Sequence, residues 1–226
     1  MNLIRLSGSM KNFILRFINL VIGLMLFALG IILTIKANLG YAPWDVFHEG
    51  LANTIGFSFG VSTILVGVIL GIIVVLAGEK IGIGTILNMV LIGVFLDIIL
   101  YIDIIPTPKT IVFSIIMLIS GLFIISIGSY FYIKSALGAG PRDCLMVVLT
   151  KKTKIPVGIC RSLIELLVTV IGWLLGGKVG IGTIISVIGI GFCIQITFKI
   201  FKFKIALIKH ESILDTINTL IIRHTK

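Results

Sequence analysis

Charge is what this sequence has least of. Only 12% of its 226 residues are charged and nine are acidic, whereas 58% are apolar and the mean hydropathy is +1.23. Soluble domains carry roughly a quarter charged residues. Too few are present here to cover a water-facing surface, which excludes an ordinary soluble enzyme and a disordered chain. Cysteine is scarce as well. Cys144, Cys160 and Cys193 are odd in number, form no CxxC pair and lie in or beside apolar stretches. They read as small buried hydrophobes and exclude a disulfide scaffold. The three histidines, His48, His210 and His224, read as scattered through loops and the tail, with no cysteine beside them to suggest a metal site. No HExxH, GxSxG or P-loop is present, so the sequence offers no catalytic, cofactor or ATP-coupling signature.

What the sequence has is long uncharged runs. A bilayer core needs about 20 apolar helical residues. Runs of that kind predict six spans, near 12–35, 59–77, 85–102, 110–133, 157–175 and 183–201. The first apolar run, from Phe17 to Ile35, is too long for a signal peptide and has no small-x-small cleavage site after it, so it reads as a retained span. The expected architecture is an all-α membrane protein, with one membrane domain over 1–202 and a cytoplasmic tail over 203–226. In that tail Leu207, Leu214, Ile217 and Ile221 fall on one stripe, as in an amphipathic helix lying on the inner leaflet.

The formal net charge is +10. Six spans put both termini on one side. With those termini inside, only Lys36, Lys109 and Lys178 of the 19 basic residues fall outside. Basic residues resist translocation, so this bias predicts cytoplasmic termini. It also accounts for the charge without nucleic acid as a partner. The partners expected are the lipid bilayer and a small molecule, and the sequence leaves room for a homo-oligomer.

The most informative pattern is self-similarity at a spacing of 98 residues. Leu39-Gly40-Tyr41-Ala42-Pro43-Trp44-Asp45 matches Leu137-Gly138-Ala139-Gly140-Pro141-Arg142-Asp143, and Gly82-Ile83-Gly84-Thr85 matches Gly180-Ile181-Gly182-Thr183. Gly23, Gly30, Gly60, Gly93, Lys36 and Lys80 find Gly121, Gly128, Gly158, Gly191, Lys134 and Lys178 at the same offset. Leu and Ile matches would follow from composition, but matched Pro, Asp, Lys and Gly do not. Each repeat, about 12–104 and 110–202, holds three spans. Three is odd, so the second repeat enters from the opposite side, as in the inverted repeats of transporters.

In LGxxPxD, Gly40 and Gly138 permit a turn and Pro43 and Pro141 suit the first turn of a helix. Asp45 and Asp143 would then accept from free amides at the positive helix end. After Pro43, the stripe of Trp44, Phe47, Leu51 and Ile55 gives a short helix that cannot cross. It lies in the interface or dips in as a re-entrant half-helix. In GIGT, Gly82, Gly84, Gly180 and Gly182 allow a tight reversal, with Thr85 or Thr183 as N-cap.

Intramembrane ionisable residues are costly and are candidates for function. Asp97 sits within the third span, and its repeat partner is Gln195. Glu165 sits in the fifth span, with Arg161 four residues earlier on the same face. Asp97, Gln195, Glu165, Arg161, Asp45, Asp143, Arg142 and Trp44 are therefore the candidate substrate- or ion-binding residues.

The paired LGxxPxD and GIGT motifs, the six spans and the glycine pattern resemble the YczE/YitT-type bacterial membrane proteins over about residues 12–200. The resemblance implies a multi-pass protein of the bacterial cytoplasmic membrane and supplies no catalytic or binding residues. The repeats depart from symmetry at Trp44 against Arg142 and at Asp97 against Gln195. The expected function is a secondary transporter or exporter of small molecules working by alternating access. The alternatives are a non-transporting scaffold, sensor or binding subunit of a larger complex, and a lipid-handling protein.

Overall fold

The computed structural model describes residues 2–155, 157–204 and 208–221. Among these residues all regular structure is helical. Five helices are long and apolar enough to cross a membrane: α1 (Asn2–Lys36) over its Lys11–Lys36 part, α3 (Phe59–Leu76), α4 (Ile83–Ile102), α5 (Ile111–Lys134) and α8 (Ile181–Ile200). A sixth crossing is available if α6 (Pro141–Thr153) and α7 (Val157–Leu174) count together, although they are bent by 119°. The short α2 (Pro43–Ile55) and α9 (Ile213–Ile221) complete the chain. The outward faces suit a bilayer. Ile69 and Ile72 on α3, Leu163 and Leu166 on α7, and Ile184 and Ile188 on α8 are all exposed large hydrophobics.

Two antiparallel helices, α1 and α5, form the centre. Leu20, Leu24 and Ile32 of α1 are fully buried with Leu118 and Leu122 of α5 and Leu96 of α4. The approach depends on missing side chains. A Cβ on Gly23 would lie 2.5 Å from the Tyr132 amide nitrogen and 2.8 Å from the Gly128 oxygen, and one on Gly30 would lie 2.7 Å from the Gly121 oxygen. Small residues permit such backbone contact in membranes. Around this pair, α4 packs on α1 and α8 packs on α5, while α2 packs on α7 and α3 on α6.

The two repeated motifs dock on each other across the halves. The Gly84 N–H donates to the Leu137 carbonyl (2.7 Å), and the Gly182 N–H donates to the Leu39 carbonyl (2.6 Å). Thr85 and Thr183 do not occupy the N-cap position expected from sequence. Gly82 and Gly180 hold it, and their N–H groups donate to the threonine hydroxyls three residues on, each at 3.1 Å. The glycine backbone is needed there because the opposite loop passes too close for a side chain. A Cβ on Gly82 would lie 2.2 Å from the Leu137 oxygen, and one on Gly180 would lie 2.4 Å from the Leu39 oxygen.

The ends of the bundle are closed by ion pairs. Lys36, at the end of α1, pairs with Asp103 beyond α4. At the other end Arg16 pairs with Glu211 (2.8 Å), and the Glu211 N–H donates to the Ala136 carbonyl (2.9 Å). The tail therefore docks on protein as well as presenting an apolar face. Ser212 and Thr216 are buried, while Leu214 and Ile217 point outward. Leu207, part of the predicted stripe, lies outside the described residues, as does the side chain of Ile221. The three cysteines are buried and free, as expected.

Candidate functional site

A cavity of about 300 Å³ lies where α2 and α6 begin, bounded by α1, α3, α4, α5, α7 and α8. Most of its wall is apolar, including Ile31, Met89 and Ile194. Its polar features come chiefly from the second repeat. Arg142 and Asp143 sit in the first turn of α6, Tyr132 comes from α5, and Arg161 and Glu165 come from α7. Trp44, in the first turn of α2, faces them.

Trp44 and Arg142 occupy equivalent repeat positions, and the structure stacks one on the other. The guanidinium carbon lies 4.7 Å from the centre of the Trp44 rings, within the range of a cation–π contact. An Arg142 N–H also meets His48 Nε2 at 3.2 Å. Arginine has no acceptor lone pair, so Nε2 must accept. The His48 proton then resides on Nδ1, which faces the Thr63 hydroxyl oxygen at 3.2 Å. Thr63 in turn donates to the Phe59 carbonyl (2.9 Å). A hydrogen-bond chain thus runs from the cavity, through a buried imidazole, into α3.

His48 is therefore part of α2 and not of a loop. Sequence reading passed over it because a lone histidine in a short helix carries little signal. Its spacing of three residues from Asp45, on the same helical face, is the only available clue. Asp45 is 3% exposed, its Oδ1 lies 3.6 Å from His48 Nδ1, and that oxygen has no hydrogen-bond partner among the described residues.

The other candidates divide into two groups. Arg161 and Glu165 pair at 2.8 Å in the cavity wall. Asp143 also faces the cavity, where its carboxylate accepts from the Tyr132 hydroxyl (2.7 Å). Among the described residues no helix-start amide donates to the Asp45 or Asp143 carboxylate; Asp45 lies beside His48, and Asp143 accepts from Tyr132. Asp97 and Gln195 lie outside the cavity. Asp97 accepts from the Ser58 hydroxyl and from the Gly60 N–H (2.8 Å), and so caps the start of α3 from α4. Gln195 is exposed on α8.

The Asp97 contact exposes an inequality between the halves. On the α3–α4 seam a Cβ on Gly60 would lie 2.1 Å from the Gly93 oxygen, and Ile64 covers Gly93. On the equivalent α7–α8 seam, Cβ atoms on Gly158 and Gly191 would meet nothing within 4 Å among the described residues. The cavity wall is built from both sides of that looser seam, with Arg161 and Glu165 on one helix and Ile190, Ile194 and Phe198 on the other.

The chain has relatives among known proteins. The chain is 37% identical over 187 residues to the uncharacterized membrane protein YczE of Bacillus subtilis (strain 168), covering 82% of this chain and 86% of that one. An uncharacterized protein of Haemophilus influenzae is 34% identical over 185 residues, covering 79% and 84%. The uncharacterized protein YyaS of Bacillus subtilis is 28% identical over 172 residues, covering 74% and 84%. No solved structure matches. Residues 14–199 match a family described as a family of unknown function, DUF6198, and the chain, an all-helical membrane protein similar to YczE, belongs to that family.

Proposed function

We propose that this protein is a secondary transporter or exporter of small molecules across the bacterial inner membrane, working by alternating access between two inverted repeats. The observation that carries the reading is the unequal pair of seams. Residues related by the 98-residue offset are pressed together between α3 and α4 and stand apart between α7 and α8. A protein whose halves exchange these two arrangements would expose one cavity to each side in turn.

Other features support it. The contacts of α1 and α5 are reciprocal, because Gly23 meets Gly128 while Gly30, the partner of Gly128, meets Gly121, the partner of Gly23. A two-fold axis in the membrane plane produces that pattern. The starts of α2 and α6 meet at the cavity, as re-entrant half-helices would. The cavity is apolar with a few polar groups, which suits an amphipathic small molecule. The end of the bundle holding Arg16, Lys151 and Lys154 is the basic one, and the positive-inside rule assigns it to the cytoplasm.

The test is flux through purified protein in liposomes, with a panel of small amphipathic solutes and an imposed gradient. The reading expects gradient-driven flux of at least one solute, lost in Arg142→Gln. Absence of flux across the panel, with cellular efflux unchanged by Arg142→Gln, overturns it.

A further inference from the structure

We infer that His48 and Asp45 form a proton-binding site that Arg142 and a proton occupy in exchange. Under the transporter reading, on which this consequence rests, the exchanged proton is the coupling ion.

The argument is one of lone pairs. Neutral imidazole has a single acceptor nitrogen. Here it is Nε2, and Arg142 uses it at 3.2 Å. A proton arriving on Nε2 takes that lone pair, converts the acceptor into a donor and leaves two donors face to face. The Arg142–His48 hydrogen bond must break as the Nε2–H bond forms. Nothing else in the site needs to change covalently. The new imidazolium is 1% exposed and would be untenable alone. Asp45 answers it, because a buried carboxylate oxygen with no hydrogen-bond partner among the described residues already lies 3.6 Å from Nδ1. Protonation thus turns an awkward neutral arrangement into a buried ion pair and releases a guanidinium.

The surrounding charges give the released group somewhere to go. On α6 itself Asp143 faces the cavity, and on α7 Glu165 faces it beside Arg161. From α5, Tyr132 donates to Asp143. Next to His48 on α2, Glu49 is held by Lys178, accepting its backbone N–H at 2.6 Å and facing its ammonium at 3.4 Å, with Tyr41 against the same lysine. The charge of Glu49 is therefore matched by that of Lys178. From α3 the imidazole meets the hydroxyl of Thr63 and the edge-on ring of Phe59, neither of them charged. The groups able to act on the imidazole are Asp45, which favours its charge, and Arg142, which opposes it.

Trp44 makes the exchange observable. It lies under the guanidinium, and the only other tryptophan, Trp173, is exposed on α7, so Trp173→Phe leaves Trp44 as sole reporter. The experiment is a pH titration of the full chain in lipid nanodiscs, by ¹⁵N NMR with labelled histidine and by Trp44 emission. His48 is assigned by the loss of its signals in His48→Gln. The expected result is a neutral His48 carrying its proton on Nδ1, which protonates on acidification in step with a change in Trp44 emission. Arg142→Gln raises the midpoint by about one pH unit and Asp45→Asn lowers it, since removing a like charge favours imidazolium and removing an opposite one disfavours it. A proton on Nε2 in the neutral protein, or a midpoint unmoved by Arg142→Gln, overturns the inference. The two readings fail separately. Correct titration without flux in any liposome experiment removes the transporter and leaves the proton site, whereas flux with an unmoved midpoint does the reverse.

Discussion

Asp97 is an intramembrane carboxylate that holds the α3–α4 seam, and its removal tests what that seam does. It accepts from the Ser58 hydroxyl and the Gly60 N–H, at the end of α3 where the helix dipole favours negative charge. Hydrogen bonds to a charged group contribute about 1.5–3 kcal/mol each. Asp97 is partly exposed, and water recovers part of that, so Asp97→Ala should weaken the seam by about 2–3 kcal/mol. In the alternating-access account this is a shift of about 30- to 150-fold toward a conformer with α3 and α4 apart. A conformer at about 1% in the parent protein would rise to between roughly a quarter and three fifths of the molecules. Spin labels at Phe57 and Tyr101, both exposed at that end, report it through double electron–electron resonance. A new, longer distance population is expected in Asp97→Ala. A single unchanged distance with only a lower thermal midpoint would mean that Asp97 is a helix cap and no more, and the seam argument would fail.

Gly23→Ala places a methyl 2.5 Å from the Tyr132 amide nitrogen and should cost about 1–3 kcal/mol, whereas Gly158→Ala and Gly191→Ala should stay within about 0.5 kcal/mol, as read by thermal unfolding in detergent. Equal losses would contradict the described seams. Thr85→Val keeps the shape but strips the acceptor from the Gly82 N–H and the donor from the Ala139 carbonyl. It should cost about 2–3 kcal/mol by chemical unfolding, with Thr85→Ser restoring most of it.

Several parts of this molecule are legible in sequence because their cause is local. Five of the six predicted apolar runs form helices long and apolar enough to cross a membrane, the run at 157–175 qualifies only together with α6, and Pro43 and Pro141 do open α2 and α6. The repeated glycines are visible in the sequence as matched positions, but not their partners, because which backbone lies opposite Gly23 is set by the docking of one half on the other. Thr85 shows the same limit. Its N-capping expectation failed because the Leu137 loop claims the space that any N-cap side chain would need. In the cavity, Arg161 and Glu165 are nameable from charge in apolar surroundings, and Trp44, Arg142 and Asp143 from the repeated motif. His48 was not, because its role is given by Arg142, 94 residues away. Asp97 looked unpartnered because both of its donors, on Ser58 and Gly60, lie across a helix contact.

The most direct test of the central claim, that the halves exchange seams, is cross-linking across α7 and α8. Ile64 covers Gly93 in the tight seam, and Ser162 and Gly191 are the positions equivalent by the 98-residue offset. In a protein with Cys144, Cys160 and Cys193 replaced by alanine, Ser162→Cys with Gly191→Cys should form a disulfide under mild oxidation in membranes, and more readily once Asp97→Ala loosens the opposite seam. A pair that never cross-links, or cross-links equally whether or not Asp97 is present, would contradict the account.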